Sequence, residues 1–236
     1  MAMQDWQEGR GQDALDAFQA SADVADAAGD EFTSSATRGN IGDVLVKLGR
    51  ADEAEPVLRE VVATQRALAA TAFEATARRS LAVALALQGR WGEAESVLAD
   101  VREQQERLTE DDELTETIGA QALVALLSGD AERGLVLAEE AEARARTADA
   151  VYLLVPILRV KGAALIDLDR AEEARTWLNE ALEGCPEAEF ERGFILAELA
   201  RAAGPGDAAG LQAQAEAAWT DFGWVGSARY PRADPR

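Results

Sequence analysis

Side chains able to do nucleophilic or acid–base chemistry are few in this sequence. The chain of 236 residues contains no histidine, which removes the usual general base and every Ser-His or Cys-His nucleophile. Its single cysteine, Cys185, can form neither an internal disulfide nor a cysteine-based zinc site. Cys185 stands beside Gly184 and Pro186 at a predicted helix end, where a free cysteine is more often a packing residue than a reactive thiol.

Acidic pairs and glycine-rich segments are the remaining candidates for chemistry. Pairs such as Glu139 and Glu140 are expected to be solvated on an acidic helical surface, because a strong pKa perturbation needs burial. The glycine-rich segments 9–11 and 204–206 lack the preceding strand and the Gly-Lys-Ser/Thr ending of a phosphate-binding loop. The sequence therefore predicts no catalytic residue, no metal site and no cofactor, and a protein that is not an enzyme.

The charge balance restricts the partners. With 23 Lys and Arg against 44 Asp and Glu, the formal net charge is −21. Such a surface repels phosphate, so direct binding to nucleic acid or to anionic membranes is disfavoured. No apolar run approaches the roughly 18 residues of a membrane span, and residues 1–10 do not resemble a signal peptide. We therefore expect a cytoplasmic protein, and the scarcity of lysine, present only as Lys47 and Lys161, is typical of a GC-rich bacterial genome.

The elements that position these residues follow from an internal repeat. Apolar residues recur at steps of three and four, as at Val57, Leu58 and Val61, and strand patterns are missing, so helices are predicted throughout. Turn segments recur every 40 residues, beginning at Gly9, Gly49, Gly89, Gly129 and Asp169. A weaker sixth copy begins at Gly206.

Two columns of the repeat stay small, and one stays bulky. Seven residues before the turns the sequence has Gly42, Ala82, Ala122 and Gly162, and five residues after them Ala14, Ala54, Ala94, Gly134 and Ala174. Nine residues after the turns stand Phe18, Leu58, Leu98 and Leu178, with Ala138 as the exception. Small residues that recur on apolar helices predict close helix crossings, and the bulky column is expected to fill the gaps beside them.

These columns and turns together resemble the tetratricopeptide repeat over about residues 5 to 220. Ile41-Gly42, Leu45, Gly49, Ala54 and Leu58 follow the family's spacing of Leu-Gly, Tyr, Gly, Ala and Phe. The period is 40 residues instead of the family's 34, so each helix should be nearly a turn longer, about 18 residues. Arrays with such long repeats resemble the C-terminal regions of bacterial LuxR-type and SARP-type regulators and of ATPase-coupled nucleotide cyclases, whose ends often look like residues 217–224 of this chain.

The resemblance implies an all-α fold, a right-handed α-solenoid of about five and a half helix-turn-helix repeats. We assign residues 1–220 to the array and 221–236 to a C-terminal cap with a loose tail. Trp219 and Trp224 are predicted to close the last exposed apolar face, since a terminal repeat has no neighbour to bury against. The short stretch before the turn at Gly9 fits an array cut from a longer chain.

In such arrays the first helix of each repeat lines a concave groove, and carrying this over predicts the partner-binding residues. They are Asn40, Asp43, Lys47, Arg79, Val83, Leu87, Leu123, Leu127 and Arg159. The four apolar members form either a binding patch or part of the core beneath a tight superhelix.

Two functions remain open at this point. The first is a non-catalytic protein–protein interaction scaffold, a regulatory module that docks a peptide or partner protein in the groove. The alternative is a sensor of a small molecule or signalling peptide. An open polar groove would favour the scaffold, and a closed apolar cavity the sensor.

One groove position alternates between glycine and arginine, in the order Gly39, Arg79, Gly119 and Arg159. Either the two arginines bind the carboxylate of an acidic peptide or chain terminus, or they neutralise neighbouring carboxylates such as Asp43, Glu116 or Asp167.

Overall fold

The computed structural model describes residues 11–108, 111–186 and 190–222. The turn predicted at Gly9 and the cap residue Trp224 lie outside the described residues.

Within these residues the chain forms eleven α-helices and one 3₁₀ turn, Val151–Leu153. The helices are α1 (Gly11–Ala27), α2 (Glu31–Lys47), α3 (Ala51–Ala67), α4 (Thr71–Leu87), α5 (Trp91–Leu108), α6 (Asp111–Leu127), α7 (Ala131–Thr147), α8 (Leu154–Asp167), α9 (Ala171–Gly184), α10 (Phe190–Ala202) and α11 (Pro205–Phe222). Each helix packs against the next one along the chain. The predicted all-α helical-repeat solenoid is thereby confirmed.

The period of 40 residues arises from a nearly uniform helix and a uniform turn. Helices α2, α3 and α4 each have 17 residues and are separated by three-residue turns, so one helix and one turn span half a repeat. After α2, the backbone N–H of Arg50 donates to the carbonyl of Leu45 at 2.8 Å, and Gly49 adopts a φ of 73°. This is a Schellman turn, in which a left-handed residue, most easily glycine, ends the helix.

Three turns place a residue other than glycine in the left-handed region. These are Ala69 with φ 53°, Asp149 with φ 57° and Asp169 with φ 58°. Aspartate tolerates this conformation through local hydrogen bonding, whereas the Cβ of alanine crowds the following carbonyl oxygen. The turn at Ala69 is therefore strained.

Ala69→Gly is expected to raise the free energy of unfolding by about 0.5–1 kcal/mol, because relief of this strain exceeds the entropy that glycine loses on folding. Chemical denaturation measures the change. The reciprocal control is Gly89→Ala, at a φ of 78°, which should destabilise the protein. A lower stability for Ala69→Gly would contradict this account.

The predicted small-against-large packing is visible at the helix crossings. A Cβ atom added to Gly42 would lie 2.5 Å from Cδ2 of Leu58, and one added to Gly162 would lie 2.5 Å from Cγ of Leu178. Leu58 and Leu178 are fully buried. The bulky column of the second helix therefore sits directly on the small column of the first.

The exception at Ala138 has a structural reason. In the same repeat the small column of α7 has Gly134 in place of alanine. A Cβ added there would lie 3.3 Å from the backbone carbonyl oxygen of Ala122 in α6. The two helices are close enough for backbone and side chain to meet, so alanine suffices at 138, where it is fully buried.

Ala54→Leu and Ala94→Leu are each expected to destabilise the protein by about 1–3 kcal/mol, because both residues are fully buried at helix crossings and a larger side chain would overpack them. Thermal or chemical unfolding measures the loss. Ala99→Leu is the matched control, since Ala99 is exposed on α5, and it should be far milder. Unchanged melting of both buried variants would rule out steric control of the crossings.

The first helices of successive repeats form the inner layer of the array. The two ends of the described array contact each other. Helices α2, α4, α6, α8 and α10 each contact the next member of this series, and α11 contacts α1. One buried apolar cluster contains residues from both ends, among them Phe18, Leu85, Phe194 and Trp219. The solenoid therefore curves until its first and last described helices touch.

Candidate functional site

The concave side of the array holds a partly open cavity of about 590 Å³, walled by residues of α2, α3, α4, α6, α8 and α10. Seven of the nine predicted groove residues line it. They are Asn40, Asp43, Lys47, Arg79, Val83, Leu123 and Arg159. The curvature of the array brings these residues together from helices that are distant in sequence.

The other two predicted residues lie in the core. Leu127 is fully buried and belongs to the same apolar cluster as Leu85 and Phe194. Leu87 is partly buried and packs against that cluster. For Leu127 its burial in this cluster agrees with the second alternative, part of the core beneath a tight superhelix.

Arg79 is held in the cavity wall by an ion pair across helices. Its exposed fraction is 9%, and its Nη2 donates to Oε2 of Glu116 on α6. Burial lowers the pKa of the guanidinium and outweighs the opposing influence of Glu116, Glu113 and Asp43. Its other terminal nitrogen, Nη1, is buried and has no hydrogen-bond partner among the described residues.

Arg159 occupies the equivalent position two repeats later and is held in the same way. It is 4% exposed, and its Nε donates to Oε1 of Glu191 on α10. Its guanidinium carbon also lies 5.4 Å from the ring centroid of Phe194, a cation–π contact. Of the two roles predicted for the arginines, the structure supports neutralisation, although the carboxylate beside Arg159 is one that the sequence did not indicate.

The cavity is electrically balanced, although the chain as a whole is strongly acidic. Nζ of Lys47 lies 3.0 Å from Oδ2 of Asp43, which adds a third ion pair to those of the two arginines. Among the described residues, three cations and three carboxylates line the cavity. Its formal charge is therefore zero, and it forms no positive stripe.

Gln65 is a site residue that the sequence argument missed. It lines the cavity from α3 and is fully buried, yet neither Nε2 nor Oε1 has a hydrogen-bond partner within the described part of the chain. One repeat later, the equivalent Gln105 accepts a hydrogen bond from the hydroxyl of Thr117 at 2.7 Å. The residue equivalent to Thr117 is Ala77, so Gln65 lacks this donor. Comparing Gln65 with Gln105, and Ala77 with Thr117, at the 40-residue offset would have shown that Gln65 lacks the donor.

Aromatic and aliphatic side chains complete the cavity and its rim. Val83 and Leu123 line it, and Phe73 extends from it to the surface. Phe73 and Phe32 contact each other edge to face with ring centroids 4.9 Å apart. They remain 48% and 41% exposed, which leaves an apolar surface beside the cavity.

Comparison with known proteins agrees with the repeat register. The family model of the tetratricopeptide repeat matches residues 35–69, which cover most of α2 and α3. Repeats of this family generally mediate protein–protein interactions, and their helical fold is typically non-catalytic. No curated protein matches the chain. Among the described helices, none combines the length and the apolarity needed to cross a membrane.

Proposed function

We propose that the protein is a non-catalytic interaction scaffold, a regulatory module that docks a peptide or a segment of a partner protein in the cavity of its concave face. The observation that carries the proposal is the cavity, in which ion-paired, polar and apolar side chains from five inner helices and α3 converge. Its volume of about 590 Å³ lies within the range of pockets that enclose most of a bound ligand.

The resemblance to the repeat arrays of bacterial regulators supports the regulatory part of this proposal and a cytoplasmic location. The net charge of −21 supports a protein or peptide partner over direct contact with nucleic acid or an anionic membrane.

A substitution that fills the cavity tests the proposal. Asn40 is exposed and lines the cavity, so Asn40→Trp should obstruct it without disturbing the core. The chain has one other asparagine, Asn179, which is exposed on the outer helix α9, and Asn179→Trp is the matched control. A phage-displayed peptide library is selected on the wild-type protein and on both variants.

Selected peptides should bind the wild type and Asn179→Trp equally and lose binding to Asn40→Trp. Equal binding to all three proteins would place the docking surface elsewhere. If no peptide is enriched on the wild type, peptide docking is rejected.

A second function, a sensor of a small molecule or signalling peptide, is favoured by the contact between α1 and α11. If such an array also populates an open arrangement, a ligand that binds one of the two arrangements better shifts the population. Small-angle X-ray scattering with and without a bound peptide distinguishes the two functions. A sensor should change its radius of gyration on binding, whereas a rigid scaffold should not.

A further inference from the structure

We propose that the cavity binds an uncharged peptide segment. In this proposal Gln65 recognises the carboxamide of an asparagine or glutamine side chain of that peptide through hydrogen bonds. This inference rests on the proposed function, because it names the chemistry of the peptide that the same cavity takes. It assigns recognition to a residue outside the predicted groove set.

The amide of Gln65 lies at the cavity wall without a hydrogen-bond partner among the described residues. A fully buried amide that forms no hydrogen bond carries a desolvation penalty, and both of its polar atoms lack a partner among the described residues. Gln105 shows that the fold can satisfy the oxygen at this position, since Thr117 donates to it, whereas Nε2 of Gln105 also lacks a partner among the described residues. Gln65 faces Ala77 instead of a threonine, and Ala77 also lines the cavity, so this amide lacks the donor that Gln105 has.

The geometry of the Gln65 amide restricts the groups that can complement it. The Gln65 amide offers an acceptor and a donor side by side, so its partner must present a donor and an acceptor on one edge. A primary carboxamide does so and can form two antiparallel hydrogen bonds. A single trans peptide unit does not, because its N–H and C=O point in opposite directions. The N–H and C=O of one extended residue do share an edge, so a peptide backbone is the competing partner, and retention of first-library peptides that lack Asn and Gln would overturn carboxamide recognition. A carboxylate does not either, since it has no proton to donate.

The charge of the cavity favours an uncharged ligand. The three ion pairs leave the cavity without net charge in a chain of net charge −21, so an acidic ligand meets repulsion from the surroundings and no compensating cation within. Nη1 of Arg79 supplies a further donor suited to a backbone carbonyl. An uncharged occupant fits this arrangement better than a carboxylate.

The apolar surface beside the cavity favours a ligand larger than the cavity itself. The exposed pair Phe32 and Phe73 continues the cavity wall onto the surface. A ligand confined to the cavity would leave these rings uncovered, whereas a peptide can place one side chain in the cavity and an apolar neighbour over the rings.

The test uses two variants at equivalent positions of the repeat. Gln65→Met removes the amide and keeps the side-chain length, and Gln105→Met is its matched control. Without ligand, Gln65→Met should melt at or above the wild-type temperature, because no hydrogen bond is lost. Gln105→Met should melt about 2–4 °C lower, because the hydrogen bond from Thr117 to Gln105 is lost and Thr117 keeps only the backbone carbonyl of Glu113 as acceptor.

Binding is then measured by affinity selection and mass spectrometry with two synthetic libraries. The first contains N-acetylated, C-amidated hexapeptides made without Asp, Glu, Lys or Arg. The second is the same library with Asp and Glu in place of Asn and Gln. The wild type and Gln105→Met should retain Asn- or Gln-containing members of the first library, and Gln65→Met should bind them on the order of tenfold more weakly.

Each contrary outcome has a distinct meaning. Preference for the acidic library would overturn carboxamide recognition and leave peptide docking intact. Equal retention of the neutral peptides by Gln65→Met would exclude Gln65 as the recognising residue, again with docking intact. Retention of neither library by the wild type would reject both this inference and the docking of short peptides.

Discussion

Glu142→Leu is expected to lower the free energy of unfolding by about 3–5 kcal/mol, because it leaves a buried ammonium without its carboxylate. Nζ of Lys161 lies 2.6 Å from Oε2 of Glu142 and 3.5 Å from the ring centroid of Trp177. Glu142 is 8% exposed and Lys161 6%. Chemical denaturation of the variant and the wild type measures the loss.

A double variant separates the ion pair from other effects of the substitution. Glu142→Leu combined with Lys161→Met removes both charges and should recover most of the lost stability, as apolar replacements of buried pairs often do. Glu139→Leu, at an exposed position on the same helix, should change stability by no more than about 0.5 kcal/mol. An equal loss in Glu139→Leu, or no recovery in the double variant, would show that the pair is not the cause.

The same pair gives the protein a defined response to acid. Burial raises the pKa of Glu142, but hydrogen bonds from Lys161 and Arg146 outweigh it and hold the pKa below its usual range. A carboxyl group whose pKa is lowered by folding stabilises the protein fully above its unfolded pKa, and this contribution is lost as the pH falls through the folded value. The wild type should therefore lose stability relative to the double variant on acidification below about pH 4.

Trp219→Ala is expected to destabilise the protein by about 3–5 kcal/mol, because it removes a large buried side chain at the end of the array. Trp219 is 4% exposed, and its ring centroid lies 5.0 Å from that of Phe194. Its indole also fills the space that a side chain at Gly193 would occupy. Thermal unfolding measures the loss, and Trp91→Ala, at a partly buried position, should lose less.

Loss of this closing contact should also change the oligomeric state. Truncation after Ala208 removes Trp219 and exposes the apolar faces of α10, so the shortened chain is expected to self-associate in size-exclusion chromatography with light scattering. A truncated chain that stays monomeric and as stable as the wild type would show that Trp219 does not cap the array.

Most of the fold could be predicted from the sequence because its determinants are local. Each repeat contains its own determinants: a turn glycine that recurs every 40 residues, the small column at Gly42 and the bulky column at Leu58. The structure shows their contacts directly. The predicted helix length of about 18 residues is close to the observed 17 of α2.

The candidate site could be predicted only in part. The family resemblance identified seven of the cavity-lining residues, because the face of a first helix follows from its register. Gln65 lies on a second helix, where the resemblance placed no groove residue. The carboxylates that pair with Arg79 and Arg159 come from the next helix of the inner layer, so their contacts depend on how successive repeats are rotated.

The sequence by itself determined the helices, their turns and the crossings within each repeat, since each depends on backbone conformation and on residues fewer than 40 positions apart. The tertiary structure decided the rest. Curvature is the accumulated sum of small rotations between repeats, and a small change in each one moves the two ends of an array far apart or brings them together. This accumulated rotation places α11 against α1 and buries Leu127. It also turns the groove into a cavity of zero formal charge, in which the amide of Gln65 has no partner among the described residues.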